Sequence, residues 1–221
     1  MKRCVTAAMA VLVVSLGTAE SAWAEDAKAE AGFVSLFDGK SLDGWVGALK
    51  GYTVEDGVLV CLKKGGGNLF TKSEYADFVL RFEFKLEPGA NNGLAIRAPL
   101  KGNAAYVGME LQILDDTAEQ YKNLKPYQFH GSIYGVAPAK VGHLKSVGEW
   151  NAQEVTCVGR KVKVVLNGET IVDVDLDKVA PGGKTIDGNG HPGLAREKGH
   201  IGFLGHGARI EFRNLRVKEV K

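Results

Sequence analysis

Asp77-Phe78-Val79-Leu80-Arg81-Phe82-Glu83-Phe84-Lys85-Leu86-Glu87 carries the clearest two-residue alternation in the chain. Phe78, Leu80, Phe82, Phe84 and Leu86 share one parity, and Arg81, Glu83 and Lys85 share the other. Successive strand side chains point to opposite faces, so this run predicts a strand with one buried and one wet face. Pro88-Gly89 ends it, because proline has no N–H to give a ladder.

The same pattern extends outward. Gly93–Ala98 reads as a strand with Leu94 and Ile96 inward and Ala95 and Arg97 outward. Gly108–Asp116 reads as another, with Leu111 and Ile113 toward a core and Glu110 and Gln112 on the opposite face. Asp56-Gly57 and Asn167-Gly168 each sit between apolar runs and predict tight hairpins. In the closing run the parity of Ile210 and Phe212 is opposite to that of Leu215 and Val217. A β-bulge near Asn214 would produce that shift. Phe129–Tyr134 is strand-like, Thr117–Tyr127 is polar with room for a helical turn, and 136–150 and 177–199 are long loops suited to site walls. No stretch keeps a helical period. About a dozen short strands separated by turn signals predict an all-β domain. Strands with one apolar and one polar face favour a sandwich of two sheets over a barrel.

Residues 1–24 read as a targeting segment. Lys2 and Arg3 precede an apolar stretch from Val5 to Leu16, and Ala22-Trp23-Ala24 is an A-x-A cleavage site. That is a secretory signal peptide, placing the mature chain outside the cytoplasm, secreted or periplasmic. The apolar run falls short of the roughly 20 residues of a membrane span, so no membrane insertion is expected. Residues 25–32 form a charged, Ala-rich linker, and 33–221 form one domain. The 28 basic and 26 acidic residues are spread evenly, which gives no footprint for nucleic acid. Cys61 and Cys157 follow the cleavage site. An oxidising compartment would permit a bridge between them; two separate buried thiols are the plainer reading, and spacing does not decide. With no Cys/His cluster, no metal site is indicated and no cofactor is expected; a divalent cation at Asp115 or Asp116 is conceivable but has no pattern behind it.

Parity collects a polar set of Arg97, Glu110, Gln112, His130, Ser132 and Tyr134, with Arg81, Glu83 and Lys85 on a further strand. If their strands lie side by side, these residues line one sheet surface suited to sugars, whose hydroxyls need both donors and acceptors. Trp150, Asn151 and His206 are added as binding candidates. Each has a plainer reading as a solvated strand residue, ion-pair partner, turn residue or packing anchor, and spacing leaves both open. The common glycosidase scheme needs two carboxylates across the scissile bond. Glu110 has Gln112 and Leu114 at the same-face positions, so that pair is missing. No Gly-x-Ser-x-Gly elbow is present.

The chain resembles the bacterial 3-keto-disaccharide hydrolase domain family, described also as 3-keto-glucoside-1,2-lyase/3-keto-2-hydroxyglucal hydratase. Leu36–Trp45, Asn91–Arg97, Gly108–Asp115, Gly131–Gly135, Gly148–Asn151, Leu166–Gly168, Gly199–Gly207 and Phe212–Val217 carry the resemblance, in order, across the mature chain. It implies a concanavalin A-like jelly-roll sandwich with a concave sugar-binding sheet. The implied substrates are glycosides already oxidised at C3 by a separate sugar dehydrogenase. A C3 ketone acidifies the C2 proton, so one base, one acid and a donor for the enolate suffice. The expected roles are Glu110 or His130 as base and Tyr134 as proton donor, with Arg97 and Gln112 contacting ketone and hydroxyls. The alternative is a non-catalytic carbohydrate-binding module.

Overall fold

The computed structural model describes residues 30–221. The segment expected to be a signal peptide and most of the expected linker lie outside the described residues. Within the described part of the linker, Glu30 pairs with Arg81 and reaches Arg216 at 3.5 Å.

The described strands are β1 (Val34–Ser35), β2 (Trp45–Gly47), β3 (Tyr52–Glu55), β4 (Val58–Cys61), β5 (Gly67–Tyr75), β6 (Phe78–Leu86) and β7 (Asn91–Ala98). They continue with β8 (Met109–Leu114), β9 (Trp150–Val158), β10 (Lys161–Leu166), β11 (Glu169–Asp175), β12 (Gly199–Gly205) and β13 (Ile210–Glu219). Two one-turn helices interrupt them, α1 (Ala104–Val107) and α2 (Leu176–Val179).

One sheet runs β11-β10-β9-β6-β13-β4-β3, with β1 also on β13; the other runs β2-β5-β12-β7-β8. Every pairing is antiparallel. The two sheets stack face to face in a jelly-roll sandwich. Their inner faces share a core in which Phe203 of β12 stacks on Phe212 of β13 at 3.8 Å between ring centroids. Phe82 of β6 meets the edge of the same ring at 6.0 Å. The alternation of Phe78, Leu80, Phe82, Phe84 and Leu86 is therefore the inner face of a central strand, and all five are buried.

The hairpin readings hold in detail. Asp56 and Gly57 take φ of 49° and 80° between β3 and β4, and Asn167 and Gly168 take 51° and 92° between β10 and β11. Two consecutive left-handed residues are what a type I′ turn requires. The bulge near Asn214 is present: that residue has φ 54°, and the β13–β6 register slips between Arg213 and Arg216.

Two local readings change, and the open choice at the cysteines resolves to free thiols. Phe129–Tyr134 forms no strand; Ile133 makes isolated bridges to Leu111, on the outer edge of β8, and to Ala137. Arg81, Glu83 and Lys85 lie on the outer face of the eight-stranded sheet, on the opposite side of the sandwich from Glu110. Cys61 and Cys157 are free and buried. They sit on β4 and β9, with β13 and β6 between them. Three strand spacings of about 4.8 Å put them well beyond disulfide reach.

Candidate active site

β8 is the edge strand of the five-stranded sheet, and its outward parity presents Glu110 and Gln112 as expected. Around them is a cavity of about 370 Å³, within the size range of small-ligand sites. Its walls come from short irregular segments packed over the sheet. α1, capped by Asn103 through its side-chain oxygen, supplies Tyr106. The 3₁₀ turns at Glu119–Tyr121 and Pro126–Gln128 supply Tyr121 and Gln128, β7 supplies Asn91, and the β12–β13 turn supplies His206. Tyr134 enters from the segment paired to β8, its N–H donating to the Glu110 carbonyl at 2.9 Å.

Glu110 is 6% exposed. Burial raises its carboxyl to about 7, because desolvation penalises the charged form. The lining residues are amides, tyrosines, a histidine and apolar groups, with no lysine or arginine among the described lining residues. No cation offsets the desolvation. The carboxyl lies across the backbone of Gly93: a Cβ there would come within 2.0 Å of Glu110 Oε1.

Gln112 donates from Nε2 to Asn91 Oδ1 at 3.4 Å. Its Oε1 is buried and takes no hydrogen bond, which leaves an acceptor open to a ligand hydroxyl. The Tyr134 ring meets Tyr106 and Tyr127 edge-on at 6.5 and 5.9 Å, and its hydroxyl accepts from Gln128 Nε2 at 3.5 Å. Tyr106 holds its proton above the ordinary phenol range, chiefly through burial, with Tyr134, Asp187, Tyr127 and Glu110 adding to it. His206 is at the rim, its protonation disfavoured by burial.

The structure thus brings together Glu110, Gln112, Tyr134 and His206. It places the other four elsewhere. His130 precedes Gly131, which has φ 80°. That left-handed residue breaks the alternation and turns the imidazole into the core. There it stacks on Phe84 at 5.1 Å, accepts from the Leu114 N–H through Nδ1, and contacts Gln153 Oε1 at 3.1 Å. Burial pushes its pKa down to about 4.

Arg97 has φ 48°. It falls in a register slip between β7 and β12, and the extra residue reverses the parity read from sequence. Its guanidinium binds Asp77 and the carbonyls of Ala76 and Gly159 at 2.8–3.0 Å. Trp150 stands on the outer face of the other sheet, with Arg213 4.0 Å from its ring. Asn151 points into the sandwich and fixes the Lys145 N–H and Asn167.

Asp115 and Asp116 are turn residues, accepting from Gly89 and Thr117 and from the His130 N–H respectively. Among the described residues no three His, Cys, Asp or Glu side chains gather as a metal site. Tyr106, Asn91 and Gln128 complete the cavity. Sequence parity does not find Tyr106, because it sits on a single helical turn with no periodicity to read.

The chain is thus a two-sheet sandwich with a buried carboxyl of raised pKa in an amide- and phenol-lined cavity, and its relatives are carbohydrate-related proteins. The chain belongs to the family of 3-keto-alpha-glucoside-1,2-lyase-like domains, whose model matches residues 32–218. It is 26% identical to a 3-keto-disaccharide hydrolase of Bacteroides thetaiotaomicron, over 85% of this chain and 78% of that protein. A crystal structure of a provisionally named glycosyl hydrolase from Parabacteroides distasonis superposes with a TM-score of 0.75 at 31% identity, covering 85% of this chain and 99% of the other. A second such protein from that organism gives 0.73 at 25% identity, covering 86% and 95%.

Proposed function

We propose that the protein cleaves 3-keto-glycosides by elimination across C1–C2 followed by hydration, with Glu110 as the base. The observation that carries this reading is the single uncompensated carboxyl, raised to about 7 at the floor of the cavity. A base works best with a pKa near the working pH. A lone carboxyl does not meet the two-carboxylate requirement of ordinary glycosidases, but it meets the need of a substrate whose C2 proton is already acidified by a C3 ketone.

In the proposed sequence Glu110 takes the C2 proton, and the electron pair moves onto C2–C3–O3 as an enolate. The Gln112 amide N–H donates to the oxygen that gains charge. The enolate collapses to a C1–C2 double bond, the C1–O bond breaks, and Tyr134 protonates the departing aglycone oxygen. Water then adds its oxygen to C1 and a proton returns to C2, which restores the 3-keto sugar as a net hydrolysis product. The cation-free lining fits a neutral polyhydroxylated sugar better than an acidic one.

We further propose that the chain is exported, to the periplasm or beyond, and that a separate sugar C3 dehydrogenase supplies its substrate. The deciding experiment follows aglycone release and the conjugated enone after mixing the protein with a 3-keto-glucoside. Release by wild type and its near-absence in Glu110→Gln support the reading. Saturable binding without release by wild type would favour a carbohydrate-binding module instead.

A further inference from the structure

A buried ionisable pair packs against the wall of the cavity. Asp187 Oδ2 and His191 Nε2 are 3.0 Å apart, with side chains 3% and 1% exposed. Both belong to the long loop between β11 and β12. Asp187 also accepts from the Thr185 hydroxyl at 2.7 Å and from the Asn189 N–H at 3.0 Å. A carboxylate with that many donors is rigidly placed.

The loop grips both segments that carry the proposed chemistry. On one side Asp187 N–H donates to the Gly135 carbonyl at 3.2 Å. A Cβ on Gly135 would lie 2.4 Å from Asp187 Oδ2 and 2.7 Å from His191 Nε2, so the pair rests on the backbone next to Tyr134. On the other side a Cβ on Gly193 would lie 2.0 Å from the Gly108 carbonyl oxygen, so the loop also abuts the start of β8, two residues before Glu110. Between these two contacts, the His191 ring lies 4.7 Å from the Tyr106 ring, and Tyr106 lines the cavity with Glu110 and Tyr134.

We propose that Asp187 and His191 are positioning residues that hold the Tyr106 phenol at the substrate cavity, making Tyr106 a substrate-contacting group. Asp187 fixes the imidazole, and the imidazole sets where the Tyr106 hydroxyl points. This inference rests on the elimination reading above for what the phenol touches, but the geometry stands apart from it.

The test is a double-mutant cycle on Asp187→Asn and Tyr106→Phe, read as kcat and KM on a 3-keto-glucoside, with thermal unfolding as the folding control. Asp187→Asn should lower kcat by about tenfold or more, with a smaller change in KM. In the Tyr106→Phe background the same substitution should cost little further, because the hydroxyl it positions is gone. Losses that simply multiply, or an unchanged kcat, would overturn the proposal. His191→Gln takes the place of Asp187→Asn if the latter does not fold. A second readout needs no turnover. The ultraviolet phenolate titration of Tyr106, isolated as wild type minus Tyr106→Phe, should move to lower pH when the Asp187 charge is removed. An unmoved titration overturns the contact, whereas absence of aglycone release by wild type counts only against the elimination reading.

Discussion

The Glu110 carboxyl occupies the space that a side chain on Gly93 would need, with Oε1 2.0 Å from the Cβ position. The two residues lie near each other on paired strands, where β7 Gly93 faces β8 Gln112 and Ala95 faces Glu110. The glycine is what lets the carboxyl lie flat on the sheet instead of rising into solvent, and that depth is what desolvates it.

Gly93→Ala should therefore act as a site mutation without touching a catalytic atom. The added methyl must lift the Glu110 carboxyl, so activity should fall by about a hundredfold while the sandwich stays folded. Its pH–rate midpoint should move down toward the ordinary glutamate range, because a lifted carboxyl regains water. A pH–rate profile of the variant beside wild type checks both effects.

Wild-type kcat/KM should rise about tenfold per pH unit below about 7 and level off above it, since only the ionised carboxyl can accept the C2 proton. Glu110→Gln should lose cleavage by at least about a thousandfold and retain substrate binding. Stopped assays across pH 5–8 with a 3-keto-glucoside, and calorimetric binding by the variant, measure these outcomes.

Glu110 and His130 should leave opposite marks on stability. The Glu110 carboxyl titrates near 7 when folded and near 4.3 when unfolded. The folded state therefore holds its proton longer, and stability falls as pH rises between those values. His130 titrates near 4 when folded and near 6.5 when unfolded. The unfolded state therefore gains the proton first, and stability falls as pH drops from 6.5 toward 4. Each effect amounts to roughly 3–4 kcal/mol, and across pH 4.5–6.5 they oppose one another. Glu110→Gln should unmask a curve that rises with pH, and His130→Asn one that falls. Urea unfolding of both variants at several pH values measures the two slopes.

Arg97→Ala should destabilise the protein without altering the cavity. The guanidinium is 2% exposed and donates to three backbone carbonyls and Asp77. Removing it leaves a cavity and hands those partly exposed acceptors to water, at a cost of about 1–3 kcal/mol. KM measured well below the new unfolding temperature should stay within about twofold of wild type. A large rise in KM with little loss of stability would put Arg97 back among the ligand contacts.

The division between what sequence and tertiary structure each decided follows from the range of the forces involved. Alternation along Phe78–Leu86, the Asp56-Gly57 and Asn167-Gly168 turns and the parity slip at Asn214 are local rules of backbone and burial. They determined the all-β class, the hairpins, one bulge, and the outward pairing of Glu110 with Gln112. Parity carried forward blindly placed Arg97 and His130 on that same face. A bulge at Arg97 and a left-handed Gly131 reversed both, and neither backbone departure has a hydrophobic-period signature. Which sheet Trp150 joins depends on β9 pairing with β6, a contact between segments some 70 residues apart in the chain. The wall of the cavity, Tyr106 with Asp187 and His191 behind it, comes from segments without any period. Only close packing of those loops over the five-stranded sheet brings them to Glu110, and only that packing removes the water that sets its acidity.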